Sequence, residues 1–198
     1  PKEKIHMLGN PRATIAKEAT FDEDYFKSLG LDLDKKTILI VMGSLGSSSV
    51  NELMKSALKD VNDDLQFLYV CGKDNSQDLN LFESQKNIHG VPYVDTLRIY
   101  GHVDGMVCRA GATTLAEVTA LGIPSIVIPS PYVANNHQFY NASMLLRQQA
   151  CRIIEEKDLN AETLQGQIVS LYANPVVYEQ THEHALQMGK PNAAYDII

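Results

Sequence analysis

The stretch GMVCRAGATTLAEVTALGIPSIVIP (residues 105–129) decides the fold, because it predicts a complete strand–helix–strand unit. Residues 105–108 form an apolar run that predicts a strand, residues 112–121 predict a helix, and residues 124–128 predict a second strand. Both runs are apolar throughout, as expected of strands that are buried on both faces. Strands joined through a helix run parallel, so the unit predicts a parallel sheet.

The same alternation continues outward in both directions along the chain. Further strands are predicted at 37–42, 65–71, 87–90 and 151–154, and further helices at 47–61, 94–100, 136–149, 159–172, 176–188 and 193–198. This order predicts an α/β fold, a parallel sheet with helices on both faces. Residues 1–36 are charged and weakly patterned, which favours a linker leading into a domain at 37–172, with C-terminal helices at 173–198. Because the chain begins with Pro1 instead of Met, we expect a piece of a longer protein.

Composition narrows the functional classes. The 198 residues carry a net charge of −7 and 44% hydrophobic residues, which is typical of a globular domain and argues against nucleic-acid binding. No apolar run approaches the length of a membrane span, and the N-terminus does not have the pattern of a signal peptide. Cys71, Cys108 and Cys151 are widely spaced, without a CxxC pair, so we interpret them as core residues and not as zinc ligands.

Three loops at the predicted carboxyl ends of strands are candidate ligand sites. Gly43-Ser44-Leu45-Gly46-Ser47 follows a strand and opens a helix, where free amides and the helix dipole favour a phosphate. The alternative is a tight turn with a serine cap. The second loop starts the helix at 112–121, where Glu117 is suited to accept hydrogen bonds from vicinal hydroxyls. Alternatively, Thr114 and Glu117 form a capping box, in which Glu117 only caps the start of the helix.

The third loop is PSPYVANNHQFYN (residues 129–141). Helical spacing places His137, Gln138 and Asn141 on one face, and amide side chains suit sugar hydroxyls because they both donate and accept. The alternative is a solvated first turn.

Two other groups are not interpreted as metal sites. Asp32 and Asp34 have the DxD spacing of metal-dependent sugar transferases, but they precede the first strand beside two lysines and predict a solvated turn. His182 and His184 are two residues apart in a predicted helix and therefore lie on different faces.

The motif GNPR (residues 9–12), the loop MGSLGS (residues 42–47) and the stretch CRAGATTLAEVTALGIPSIVIPSPYVANNHQFYNA (residues 108–142) together resemble the C-terminal half of the MurG family of bacterial glycosyltransferases. The likeness runs from about Gly9 to the end of the chain. It implies a GT-B architecture of two Rossmann-like domains, of which this chain is the second, donor-binding one. The implied donor is UDP-N-acetylglucosamine, without a metal or cofactor. The implied acceptor is lipid-linked, bound by the first domain on the inner face of the cell membrane.

The resemblance also implies roles for individual residues. The glycine-rich loop would contact the diphosphate, and the backbone after the third strand would hold the uracil. A glutamate would bind the ribose, and the start of the helix that carries this glutamate would face the phosphates and the sugar. A polar trio would select the N-acetylglucosamine. The matching positions are Arg12, Gly43, Ser44, Gly46, Tyr93, Val94, Ala112, Thr113, Thr114, Glu117, His137, Gln138 and Asn141. The implied reaction is an inverting displacement whose catalytic base belongs to the first domain, so no catalytic residue is assigned here.

Some features depart from the family pattern. Leu45 and His137 stand where the family often has glutamine, and Met42 stands where the loop has its first glycine. Leu45 cannot donate a hydrogen bond, whereas His137 can. Two alternatives stay open: an enzyme like UDP-N-acetylglucosamine 2-epimerase, and the donor-binding subunit of a split glycosyltransferase. The GATTLAEVTALG and NHQ segments favour the MurG family over the epimerase.

Overall fold

The computed structural model describes residues 6–42, 48–58, 61, 64–81 and 85–197. These residues contain a six-stranded sheet in the order β3-β2-β1-β4-β5-β6, with every neighbouring pair parallel. The strands are β1 (Lys36–Val41), β2 (Leu65–Val70), β3 (Ile88–Val91), β4 (Gly105–Cys108), β5 (Ser125–Val127) and β6 (Arg152–Ile153). Each strand end lies within one residue of its predicted position, so the predicted parallel sheet is confirmed.

Helices connect these strands and cover the sheet. They are α1 (Arg12–Glu18), α2 (Glu23–Ser28), α3 (Ser48–Ala57), α4 (Thr96–Ile99), α5 (Ala112–Leu121), α6 (His137–Arg147), α7 (Ala161–Tyr172), α8 (Pro175–Met188) and α9 (Ala193–Asp196). Shorter 3₁₀ segments lie at Lys73–Leu81, Tyr100–His102, Ala134–Asn136 and Glu156–Asp158.

The sheet has a hydrophobic core on each face. Along β1, Leu39 packs on one side with α1, α2, α4, α5, α6 and α8, whereas Ile38 and Ile40 pack on the other with α3 and α7. Successive side chains of a strand point to opposite faces, so a strand between two helical layers must be apolar at every position. The prediction of helices on both faces is confirmed.

In the segment predicted as a linker, the structure has two helices that the sequence pattern did not predict. Ala13 and Ala16 of α1 are buried, and α1 packs against α5 and α9. The amide of Ala194 in α9 donates to Thr14 Oγ1 at 2.9 Å. Phe26 of α2 is fully buried in the core beside α4. These contacts bring the GNPR motif onto the surface of α5.

Backbone conformation sets where α5 ends and where α6 begins. α5 ends at Gly122, whose φ of +69° is left-handed and is adopted by glycine without steric cost. α6 begins at His137 and not at 136, because Asn135 and Asn136 have φ of 54° and 52°. Asparagine tolerates this left-handed region better than most residues. The turn fixes the direction in which α6 leaves the sheet.

Candidate functional site

The strand order reverses between β1 and β4, and this point creates a crevice at the carboxyl edge of the sheet. Val41 and Cys108, the last residues of these two strands, pair directly with each other. The loops after both strands therefore lie side by side. Of the residues predicted to bind phosphate, Gly43, Ser44 and Gly46 lie outside the described residues, as does Leu45.

The start of α5 follows β4 at this crevice. Gly111 is the N-cap residue with an extended backbone (φ −66°, ψ 136°), and among the described residues no side chain caps the helix. Ala112 and Thr113 are exposed and Thr114 is half-buried. The first amides of a helix have no partner within it and, with the helix dipole, attract anions. Because the helix already begins at Ala112, the alternative capping box of Thr114 and Glu117 is wrong.

Glu117 lies one turn further along α5, at the centre of a hydrogen-bonded network. Its Oε1 accepts from Arg12 Nε at 2.7 Å and is 2.6 Å from a terminal guanidinium nitrogen of Arg12. Its Oε2 accepts from the hydroxyl of Tyr100 at 2.7 Å. The Glu117 side chain is 6% exposed and that of Arg12 is 40% exposed, so the guanidinium covers the carboxylate from the solvent side.

An apolar cavity of about 410 Å³ opens at the carboxyl ends of β1, β2 and β3. It includes Tyr93 and Val94, the residues predicted to hold the base. The other lining residues are Val41, Val70, Gly72, Lys73, Pro92 and Thr96. The Tyr93 side chain is exposed and the Lys73 ammonium lies 5.0 Å from its ring centroid. The cavity thus has apolar walls and a rim with one aromatic and one cationic group, which suits a flat heterocycle with polar edges.

The polar trio on α6 braces the loops after β4 and β5. Gln138 Oε1 accepts from the amides of Ala110 at 3.2 Å and Ser130 at 2.9 Å, and Asn141 Nδ2 donates to the carbonyl of Ala110 at 3.3 Å. His137 is exposed, and its Nδ1 lies 2.9 Å from the carbonyl of Ala134. The structure therefore brings Gln138 and Asn141 to the crevice, but part of their hydrogen-bonding capacity is used within the protein.

Three residues at this edge were not assigned by sequence reasoning. Tyr100 reaches Glu117 from the 3₁₀ segment after α4, and Lys73 stands at the cavity rim. Arg109 donates to Glu156 Oε2 at 2.6 Å and to the carbonyl of Ile128 at 3.2 Å, which ties the loop after β4 to the segment after β6. The two residues of each contact are far apart in sequence, so their linear spacing does not predict the contact. Arg109 lies in the stretch 108–142 that resembles the family, and this was the only sequence signal that pointed to it.

Burial and the neighbouring charge affect the ionisation of Tyr100. Desolvation is the largest cause and the negative charge of Glu117 the next, and together they hold the pKa of Tyr100 far above its ordinary value. The backbone amide of Tyr100 donates to the carbonyl of Thr96, a residue that lines the cavity. Near neutral pH, Tyr100 is therefore a neutral phenol that donates to Glu117.

The two groups that the sequence analysis did not interpret as metal sites, Asp32 with Asp34 and His182 with His184, lie in a turn before β1 and in α8 of the structure. Asp32 and Asp34 are exposed and form a turn at the amino end of β1, where the Asp34 amide donates to Asp32 Oδ1 at 2.9 Å, as predicted. His182 Nδ1 lies 2.6 Å from the carbonyl of Gly122. Across the part of the chain that the structure describes, no three acidic, histidine or cysteine residues group as metal ligands. Over the same residues, no helix has the length and apolar character needed to cross a bilayer.

Comparison with known proteins gives consistent matches. A model of the glycosyltransferase family 28 C-terminal domain matches residues 37–197. A protein of Thermoanaerobacter sp. (strain X514) named UDP-N-acetylglucosamine--N-acetylmuramyl-(pentapeptide) pyrophosphoryl-undecaprenol N-acetylglucosamine transferase is 38% identical over 203 residues. This match covers 99% of the present chain and 56% of that protein. The chain thus spans about half the length of such relatives.

Two solved structures share the fold. MurG of Acinetobacter baumannii superposes with a TM-score of 0.76 at 26% identity, covering 92% of this chain and 53% of that one. A UDP-N-acetylglucosamine 2-epimerase superposes with a TM-score of 0.65 at 14% identity, covering 99% of this chain and 50% of that one. At 14% identity the epimerase indicates a common fold and nothing about chemistry. The family resemblance drawn from the sequence is confirmed.

Proposed function

The chain belongs to the glycosyltransferase family 28 C-terminal domains, and from this we propose that it is the donor-binding domain of a transferase that uses UDP-N-acetylglucosamine. The acceptor would be the lipid-linked N-acetylmuramyl-pentapeptide precursor of peptidoglycan, which occurs in the name of its relatives. The observation that carries the proposal is the shared edge of the apolar cavity, the Glu117 network and the open start of α5. These three features match in order the base, the ribose and the diphosphate of one nucleotide.

The base would enter the apolar cavity and contact Tyr93 and Val94. The walls of the cavity would bury the apolar faces of the base, and backbone groups of the β3–α4 connection would hydrogen-bond to the polar edge of a pyrimidine. Lys73 supplies a donor at the rim. A purine has a second ring, which the cavity of about 410 Å³ would have to accommodate beside Tyr93.

The ribose would lie against Glu117 and the diphosphate against the start of α5. Vicinal hydroxyls donate to a carboxylate, so Glu117 is the acceptor and Arg12 has to release part of its contact with Oε1. The released guanidinium then faces the nucleotide, where its charge favours the diphosphate. The amides of Ala112 and Thr113, with the dipole of α5, add to this field, as would the loop with Gly43, Ser44 and Gly46.

The sugar would extend toward α6, where His137, Gln138 and Asn141 present their unused polar atoms. In the proposed reaction the acceptor C4 hydroxyl oxygen bonds to the anomeric carbon, and the bond from that carbon to the phosphate oxygen breaks. UDP leaves with both electrons of that bond, and the hydroxyl proton passes to a base. Charge develops on the diphosphate, so the start of α5 and Arg12 stabilise the leaving group. We assign no residue of this chain as the base.

We also propose that the full protein acts at the inner face of the cell membrane, where a lipid-linked acceptor is available.

Isothermal titration calorimetry of the 198-residue chain tests the donor assignment. The ligands are UDP-N-acetylglucosamine, UDP-N-acetylgalactosamine and GDP-mannose. We expect UDP-N-acetylglucosamine to bind most tightly, because the cavity selects the base and the α6 trio the sugar. Equal affinity for GDP-mannose would refute the proposal.

A further inference from the structure

The carboxylate of Glu117 has few acceptor positions left for a ligand. An ionised carboxylate offers about four lone-pair positions, two on each oxygen. Two nitrogens of Arg12 contact Oε1, and the Tyr100 hydroxyl occupies one position of Oε2. Two vicinal hydroxyls need two acceptor positions, so a ribose can bind fully only after one existing donor has moved.

The two donors differ in how readily they can move. Arg12 has 40% of its side chain exposed and can keep its charge solvated when it leaves Oε1. Tyr100 is buried in the core between α4 and α5, so its hydroxyl could not exchange the bond to Glu117 for a hydrogen bond to water. The outer oxygen of Glu117 is therefore exchangeable, whereas the inner oxygen stays bonded to Tyr100.

We propose that Tyr100 is a positioning residue for nucleotide binding, whose hydroxyl fixes Oε2 of Glu117 so that Oε1 faces the ribose hydroxyls once Arg12 withdraws. This inference rests on the proposed function. The terminal torsion of a glutamate is broad, so a carboxylate held at one oxygen only can rotate and keep both oxygens on the arginine. With Tyr100 in place, that rotation would break a buried hydrogen bond.

The position of Tyr100 also connects two parts of the site. It directly follows α4, whose first residue, Thr96, lines the base cavity and accepts a hydrogen bond from the backbone amide of Tyr100 at its carbonyl. The orientation of Glu117 is thereby set by the residue that directly follows the short helix α4, whose Thr96 lines the cavity. A ligand that fills the cavity and reaches Glu117 contacts one continuous network.

The test is the variant Tyr100→Phe, measured with UDP and with 2′,3′-dideoxy-UDP, which lacks the ribose hydroxyls. We expect UDP affinity to fall about three- to tenfold, the effect of one lost hydrogen bond. The affinity for the dideoxy analogue should stay unchanged. In a Glu117→Ala background, Tyr100→Phe should have no further effect on UDP affinity, because its action passes through the carboxylate.

Tyr172→Phe is the matched control. Tyr172 is also buried, and its hydroxyl donates to the carbonyls of Met106 at 3.2 Å and Pro124 at 3.1 Å, away from Glu117. Both variants lose one buried hydroxyl, but the control should bind UDP as the parent chain does. Equal losses for UDP and the dideoxy analogue, or equal losses in both variants, would overturn the role of Tyr100. If the parent chain does not bind UDP, the proposed function itself fails.

Discussion

Replacing Glu117 by alanine separates a role in binding from a role in folding. The change leaves the Tyr100 hydroxyl buried without its acceptor, which costs about 1–3 kcal/mol. Loss of the contact with Arg12 adds only about 0–1 kcal/mol, because that side chain is 40% exposed. For a chain of this size, the total loss of about 1–4 kcal/mol lowers the melting temperature by roughly 2–16 °C.

The same variant should bind UDP more weakly. Hydrogen bonds from the ribose hydroxyls to a charged acceptor are worth about 1.5–3 kcal/mol, so the affinity should fall roughly tenfold to a hundredfold. Melting by circular dichroism and binding by calorimetry are measured on one preparation. Glu162→Ala, an exposed glutamate in the first turn of α7, is the control and should change neither quantity by much.

A second substitution tests the origin of the stability loss. Adding Tyr100→Phe to Glu117→Ala removes the orphaned hydroxyl, so the double variant should recover part of the lost melting temperature. Unchanged UDP affinity in Glu117→Ala would refute the assignment of this carboxylate to the ribose. An unchanged melting temperature would refute the calculated cost of the buried network.

Four further outcomes are expected. Tyr93→Ala should weaken UDP binding by about 1–3 kcal/mol through lost stacking on the base, with little change in melting because the side chain is 60% exposed; strong UDP binding by this variant would argue against the base cavity. Gln138→Leu should lower stability by about 1–3 kcal/mol, since two backbone amides lose their acceptor, whereas Gln138→Glu keeps an oxygen there and should melt close to the parent. Donor affinity should survive a chelator of divalent cations, because the open helix start supplies the anion site, and abolished binding would contradict that mechanism. Burial raises the pKa of Cys108 and of Cys151 to about 12, so both thiols should react with a maleimide at pH 8 only after unfolding, as followed by mass spectrometry.

The sequence by itself determined the sheet and most of its helices. A strand in the middle of a doubly covered sheet is apolar at every position, and runs such as 37–42 and 105–108 carry that pattern without ambiguity. The alternation of strands and helices then fixed the parallel topology, and with it the edge where ligands bind. The likeness of the 108–142 stretch to a known family indicated which residues to examine there.

The tertiary structure alone decided how α1 and α2 fold. They are short and charged, so their intrinsic helical preference is weak, and they form because Ala13, Ala16 and Phe26 pack on distant elements. The same docking carries Arg12 to Glu117, which lies 105 residues away in the chain.

The partners of Glu117 were likewise beyond the reach of the sequence. Local spacing was compatible with a capping box formed by Thr114 and Glu117. The helix begins earlier, at Ala112, and the Glu117 carboxylate accepts hydrogen bonds from Arg12 and Tyr100. Gln138 and Asn141 were predicted on one face of α6, yet only the packed structure directs them onto the Ala110 backbone. Periodicity specifies which face of an element is buried, whereas hydrogen-bond partners depend on where the distant elements come to rest.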